Sequence, residues 1–248
     1  MKTATVLYFI LAIASHASKQ PDSGATVAWG RFALPIVSYT SSGKPGDPIN
    51  VGLVGEMEDV VRAFVDAGWE PADPVTLKSS VRILKDVVFK KPDPNAPVSN
   101  LYVRGRRQNI AFEQEVNGSP CQRHHVRLWM SDNLVDGRPL WVGASTYDRG
   151  VYYWKFSHHI SPDVDAERVY LFGTMTQVNL IDRDTILFGR GPTDRGLNGE
   201  NDVYITDGRI RIGWVQPIST SLFSKNTGGL SDRISDSLPD RSCHAKSE

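Results

Sequence analysis

The segment Ser119-Pro120-Cys121-Gln122-Arg123-His124-His125-Val126-Arg127-Leu128-Trp129 constrains this chain more than any other. It follows a turn-forming Asn117-Gly118-Ser119-Pro120 and carries Val126, Leu128 and Trp129, so it reads as a strand that ends before a polar loop. Successive strand side chains point to opposite faces. His124, Val126 and Leu128 therefore share one face, and His125, Arg127 and Trp129 the other. Two histidines so divided are poorly placed to ligate one metal, and a site here takes one of them and draws its other groups from elsewhere.

A second pair, His158-His159, runs into Ser161-Pro162-Asp163-Val164-Asp165-Ala166-Glu167-Arg168. This is the pattern of a helix start, with Ser161 as N-cap, proline at the first helical position and acidic residues in the first turn. Asp136-Gly137 is a turn, and Leu140 to Tyr147 is the strand after it, ending in Asp148-Arg149-Gly150. If these strands are neighbours, Asp148, His158 or His159, and Asp163 approach a common edge, where the helix N-terminus adds backbone donors suited to an anion. Between Leu101 and Arg127 stand five arginines against Glu113 and Glu115. Guanidinium groups match carboxylate and phosphate oxygens bidentately, so this cluster is a candidate anion site. The competing reading is that Glu113, Glu115, Arg123 and Arg127 satisfy one another across strands.

The remaining elements follow from periodicity and punctuation. Ile49 to Val54 alternates as a strand, and Glu56 to Ala67 is a helix with Met57, Val60, Val61, Phe64 and Val65 on one stripe and Gly68 as its stop. A second helix is expected over Val75 to Phe89, closed by the proline-rich 92–97. Thr174 to Leu180 reads as a strand or helix end, Asp182 to Thr185 as a turn and Ile186 to Phe188 as a strand. The glycine-rich stretch 189–201 lacks the Gly-Lys-Ser/Thr of a nucleotide loop and reads as a flap or ordered surface loop. Val203 to Thr206 and Arg209 to Val215 read as a hairpin around Asp207-Gly208.

Residues 1–17 carry Lys2, an apolar run from Ala4 to Ala14 and Ser15-His16-Ala17, the pattern of a secretory signal peptide; the run is too short for a spanning helix. An uncleaved segment would instead anchor the protein to the membrane. Residues 18–47 read as a linker with an edge-packing segment, and 217–248 as a disordered tail. With 28 basic against 28 acidic residues, no global charge steers the chain to nucleic acid. Cys121 and Cys243 are an even number in an oxidising compartment, which permits a disulfide and leaves free thiols as the alternative.

Gly118-Ser119-Pro120 with Gln122 to Arg127, Tyr147-Asp148-Arg149-Gly150, His158-His159-Ile160 and Pro162 to Arg168 resembles the LssY C-terminal domain family. Pro48-Ile49-Asn50-Val51, Ala67-Gly68-Trp69, Pro97-Val98-Ser99 and the stretch from Gly189 to Gly208 extend the resemblance over roughly residues 48 to 215. It implies little about activity, because the family has no established biochemical function. Some members carry the domain behind a membrane-embedded phosphatase-like region, which is not present in this sequence.

The expected architecture is one α+β (mixed α/β) domain over residues 48–216, with helices packed on a largely antiparallel sheet. The expected function is extracytoplasmic, periplasmic or secreted: binding of an anionic or phosphorylated cell-envelope component, a small molecule or a lipid head group, with a membrane-associated partner as a further expectation. Arg123, Arg127, Arg149 and Arg107, with His124, are the candidate ligand-binding residues. The alternative is a phosphoesterase-like hydrolase drawing on His124, His125, Asp148, His158, His159 and Asp163 as acid, base or divalent-metal ligands. A structural domain without a site is the third reading. Neither histidine pair has the His-Glu-x-x-His spacing, there is no Gly-x-Ser-x-Gly elbow, and no motif identifies a cofactor or metal.

Overall fold

The computed structural model describes residues 26–29, 32–73, 76, 78, 80, 82, 99–152, 157–178, 180–188 and 191–217. The signal expected at 1–17, most of the helix expected over Val75 to Phe89, the loop at 92–97 and the tail beyond 217, Cys243 included, lie outside them. Cys121 itself is disulfide-bonded.

In chain order the elements are β1 (Thr26–Trp29), β2 (Phe32–Pro35), β3 (Val37–Tyr39), β4 (Pro45–Pro48), β5 (Val51–Val54), α1 (Met57–Asp66), β6 (Glu70–Pro71), β7 (Tyr102–Val103) and β8 (Arg106–Arg107). They continue as β9 (Ile110–Val116), β10 (Ser119–Val135), β11 (Arg138–Tyr152), β12 (Ser157–Ile160), α2 (Val164–Gln177), β13 (Ile181–Phe188), β14 (Thr193–Leu197), β15 (Val203–Thr206) and β16 (Arg209–Val215). Thr76, Lys78, Ser80 and Arg82 are helical as well.

Two consecutive hairpins make the centre. Asn117 and Gly118 join β9 to β10 at φ 53° and 69°, and Asp136 and Gly137 join β10 to β11 at φ 52° and 79°. Positive φ at both central residues gives the turn twist that suits a two-residue hairpin, and Asn-Gly and Asp-Gly tolerate it best. The largest sheet runs β13-β16-β5-β11-β10-β9-β6 with β12 added on β11; its β16–β5 pairing is parallel and the others are antiparallel. A four-stranded sheet, β4-β3-β7-β8, and two two-stranded ribbons complete the described strands.

This corrects the α+β expectation. The fold is β-rich, with sixteen strands in four sheets against two helices described end to end. The α1 stripe and the start of α2 are legible in the sequence; what is undercounted is strand. Ser131-Asp132-Asn133, expected as a polar loop, lies within β10 beside a register shift in the pairing with β11. Asp182 to Thr185, expected as a turn, lies inside β13. Polar residues on a solvated strand carry no apolar alternation, so period alone does not find them. The expected hairpin around Asp207-Gly208 is also corrected: β15 pairs with β14, whereas β16 pairs with β13 and β5. Arg168 holds Asp207 from α2 through paired bonds of 2.9 Å, so the chain leaves one sheet for another at that corner.

The helices cover one face of the large sheet. Val60, Val61 and Phe64 of α1 and Leu171, Phe172 and Met175 of α2 form one core with Ile110, Phe112, Val126, Leu128, Leu53 and Trp141. Side chains of this size each contribute about 1.5–3 kcal/mol on full burial. α1 ends where Gly68, at φ 82°, and Trp69 donate backbone N–H groups to Val65 and Phe64 at 3.0 and 2.9 Å, a Schellman closure. On the opposite face a second core, with Leu34, Ile49, Leu101, Val103, Trp129, Leu140, Val142 and Ile212, fills the space under the four-stranded sheet. Asn50 ties the layers together. Its amide donates to the carbonyls of Ser145 and Val164, and its Oδ1 accepts from the Ser145 N–H, all at 2.9–3.0 Å.

Candidate functional site

Alternation along β10 divides the segment as the sequence predicts. Val126 and Leu128 enter the core beneath the helices, while Trp129 joins the second core. On Trp129's face the apolar series stops at Arg127. From there towards the strand's start, Arg127, His125 and Arg123 are all buried, and they form one wall of a cavity of about 440 Å³.

The other walls come from distant parts of the chain. Asp148 and Thr146 stand on β11, whose register sets Arg123 opposite Asp148 and His125 opposite Thr146. Gly46 and Asp47 come from β4, Ser99 to Tyr102 from the approach to β7, and Asn198 to Glu200 from the loop after β14. That loop sits against the β3–β4 turn so closely that a Cβ on Gly199 would lie 2.1 Å from the Thr40 methyl group. Any larger residue at 199 forces Thr40 or the loop to shift.

Every charged group in this wall is engaged. His125 Nε2 lies 2.7 Å from Asp148 Oδ2, and an ionised Asp148 fixes the ring proton on that nitrogen. Arg123 donates to Glu113 at 2.9 Å and approaches Asp148 at 3.9 Å. Arg127 donates to Asp47 at 3.1 Å and to the Ser99 carbonyl and hydroxyl at 3.1 and 3.2 Å. Asn198 donates to the second oxygen of Asp47 at 3.2 Å. Burial pushes the Asp47 carboxyl above its ordinary value, against the pull of Arg127 and Asn198. Burial likewise raises Glu113, against Arg123.

A second network touches the first. His159 Nδ1 lies 2.7 Å from Asp202, whose other oxygen accepts from the Ile160 N–H, and Asn198 accepts from the Asp202 N–H at 2.9 Å. The chain of contacts therefore runs from His159 through Asp202 and Asn198 to Asp47 and Arg127.

The residues singled out from sequence divide accordingly. His125, Asp148, Arg123 and Arg127 meet at the cavity. His159 stands one network away, and His158 is described only in its backbone. His124 is on the other side of the sheet, 2.7 Å from Glu167 and stacked on Tyr170 with ring centroids 3.7 Å apart. Burial and Glu167 hold the Tyr147 and Tyr170 phenols above their ordinary range, so both rings stay neutral there. Asp163 caps α2, accepting from the Asp165 and Ala166 N–H groups at 3.1 and 3.0 Å. Arg149 is exposed on β11, and exposed Arg107 pairs with Asp73 at 3.5 Å. Among the described residues, no group of three or more His, Cys, Asp or Glu is placed to hold a metal ion, and no helix is long and apolar enough to cross a membrane.

Sequence reasoning missed Asp47, Asn198 and Asp202. Their partners lie 80, 151 and 43 residues away, at Arg127, Asp47 and His159. Asp47 fell in the segment read as a linker with an edge-packing piece, and Asn198 in the glycine-rich stretch read as a flap or ordered surface loop.

Fold and site together define a β-rich domain in which a charged, half-open cavity lies between the large sheet and the four-stranded sheet. The model of the LssY C-terminus family matches residues 31–210, and the chain belongs to that family. No curated protein and no solved structure matches it.

Proposed function

We propose that the domain binds a small anionic ligand carrying a phosphate-like group in the cavity, between Arg123 and Arg127 and beside His125. One observation carries this: two buried guanidiniums and a buried imidazole converge on a cavity of about 440 Å³, large enough for a phosphorylated small molecule or a head group. Buried ion pairs contribute little net stability compared with apolar packing, so a cluster of them around a cavity points to recognition more than to scaffolding. The carboxylates keep the guanidiniums oriented before the ligand arrives. The leader read at residues 1–17 supports placing this site outside the cytoplasm. Titration of the full chain with methyl phosphate, and separately with phosphatidylcholine vesicles containing phosphatidic acid, tests the reading and separates a soluble ligand from a head group. Arg123→Gln should abolish binding, and Arg149→Gln and Arg107→Gln should leave it intact. Unchanged affinity in Arg123→Gln would sink the proposal.

A second reading rests on the His125–Asp148 pair. A carboxylate 2.7 Å from a buried imidazole orients it and supports an imidazolium, the arrangement a general base requires. A hydrolase of phosphate esters built on it should lose at least about a hundredfold in turnover on His125→Ala. Absence of turnover of p-nitrophenyl phosphate and related esters by the intact chain would leave binding alone.

A further inference from the structure

The charge balance at the cavity carries one step beyond the binding reading, and rests on it. The cavity wall carries the cations Arg123 and Arg127 and the carboxylates Asp47 and Asp148, with His125 hydrogen-bonded to the last, and Glu113 pairs with Arg123 from behind the lining. With His125 neutral and the acids ionised, negative groups outnumber positive ones; with His125 protonated these six groups balance, and Glu200 on the cavity lining leaves the wall negative. In neither state is there an uncompensated positive charge for an incoming anion. Adding a negative charge to a buried, balanced cluster costs several kcal/mol unless something neutralises it.

We infer that anion binding in this cavity is coupled to uptake of a proton from solvent by the buried cluster of Asp47, Glu113, His125 and Asp148. The proton converts one carboxylate of the cluster to a carboxylic acid. The guanidinium that had been shared with that carboxylate then turns its N–H groups to the ligand; the wall becomes one unit more positive, which offsets the whole charge of a monoanion and half that of a dianion such as sulfate. Geometry names the two best-placed acids. Asp47 on β4 faces Arg127 and His125 from β10, Asp148 from β11 and the Asn198 amide from the loop after β14. Glu113 on β9 faces Arg123 and His125 from β10, Glu70 from β6 and Glu115 on its own strand. Glu200 and Tyr102 are the other titratable groups along the cavity. Burial already favours the protonated form of both Asp47 and Glu113, against the pull of their arginine partners.

Sulfate is the suitable probe, because its own charge is constant between pH 5 and 8. Calorimetric titration of the full chain in two buffers of different ionisation enthalpy reads the proton count directly. The expected result is uptake of roughly one proton per sulfate bound, with Kd tightening about tenfold per unit fall in pH through the region where the acceptor is ionised. Asp47→Asn and Glu113→Gln carry a permanently neutral group. One of them should bind sulfate more tightly at pH 7.5 and take up no proton. Sulfate binding with no net proton uptake in the unmodified protein overturns the coupling and leaves the binding reading standing. No binding of sulfate at any pH from 5 to 8 overturns both. Should either variant fail to fold, the proton count on the unmodified protein decides by itself.

Discussion

His124 and His125 are neighbours in sequence, and each lies 2.7 Å from a carboxylate, yet they occupy different environments. His124 is packed among Tyr170, Tyr147 and Trp69 on the helix-covered face of the central hairpin, with Glu167 of α2 as its partner. Its ring serves as packing that also closes a hydrogen bond between strand and helix. His125 faces a cavity, with Asp148 behind it and Arg123 and Arg127 on either side. The difference lies in what covers each face. One side of the hairpin is covered by helices and apolar side chains, and the other carries an apolar core around Trp129 that gives way to the cavity at Arg127, His125 and Arg123. A histidine–carboxylate contact is therefore not a site by itself; the space in front of it decides.

Substitutions at the two faces separate these roles, and the largest effect belongs to Arg127. Removing it by Arg127→Ala strands Asp47 in a buried position with only Asn198, and breaking a buried pair in this way costs about 3–5 kcal/mol. The loss should shrink as pH falls, because Asp47 relieves it by taking a proton. Urea denaturation at pH 7.5 and 5.0 measures both, and a pH-independent loss would mean that Asp47 is not the acid concerned.

His124→Ala comes next, at about 2 kcal/mol, from the lost stack on Tyr170 and the hydrogen bond to buried Glu167. Anion binding should survive it unchanged. A loss of binding with His124→Ala, matching that of His125→Ala, would break the division between the faces.

Asp163→Ala should cost about 1 kcal/mol, the usual value of a helix N-cap, and leave binding alone. Sequence placed Asp163 near the second histidine pair and at a helix start at once; the structure gives its oxygen to the helix.

Legibility followed sequence distance. The hairpins at Asn117-Gly118 and Asp136-Gly137, the Gly68 stop and the two faces of β10 were readable, because each is set by neighbouring residues and a fixed period. The helix after His159 was readable too, though its cap is Asp163, where Ser161 was expected. The strand content was under-read, because Ser131-Asp132-Asn133 and Asp182 to Thr185 lack apolar alternation and still complete ladders. The site was half readable: Arg123, His125, Arg127 and Asp148 are strand neighbours, but Asp47, Asn198 and Asp202 reach it only through the closing of a second sheet over the first.

The smallest effect is one of slope, and it sets two sets of carboxylates against each other. Burial raises Asp207 somewhat, but its bonds from Arg168 and the Arg209 N–H outweigh this and hold its carboxyl below the ordinary value of 3.8. Its contribution to stability is therefore present above that unfolded value and is lost as pH falls through the lower, folded one. Asp47 and Glu113 have the opposite sign. Their folded values are raised, so the stability they add is fully present below the unfolded values, 3.8 and 4.5, and is lost as pH rises through the folded ones. Thermal unfolding across pH 3 to 8 should thus rise as pH falls into the mildly acid range and then fall at the acid end. Asp47→Asn should flatten the first limb and Arg168→Gln the second, the latter only slightly, because the Asp207 side chain is 33% exposed and screened by solvent. A first limb that Asp47→Asn and Glu113→Gln both leave intact would remove those acids from the pH response, and with them the preferred proton acceptors of the cavity.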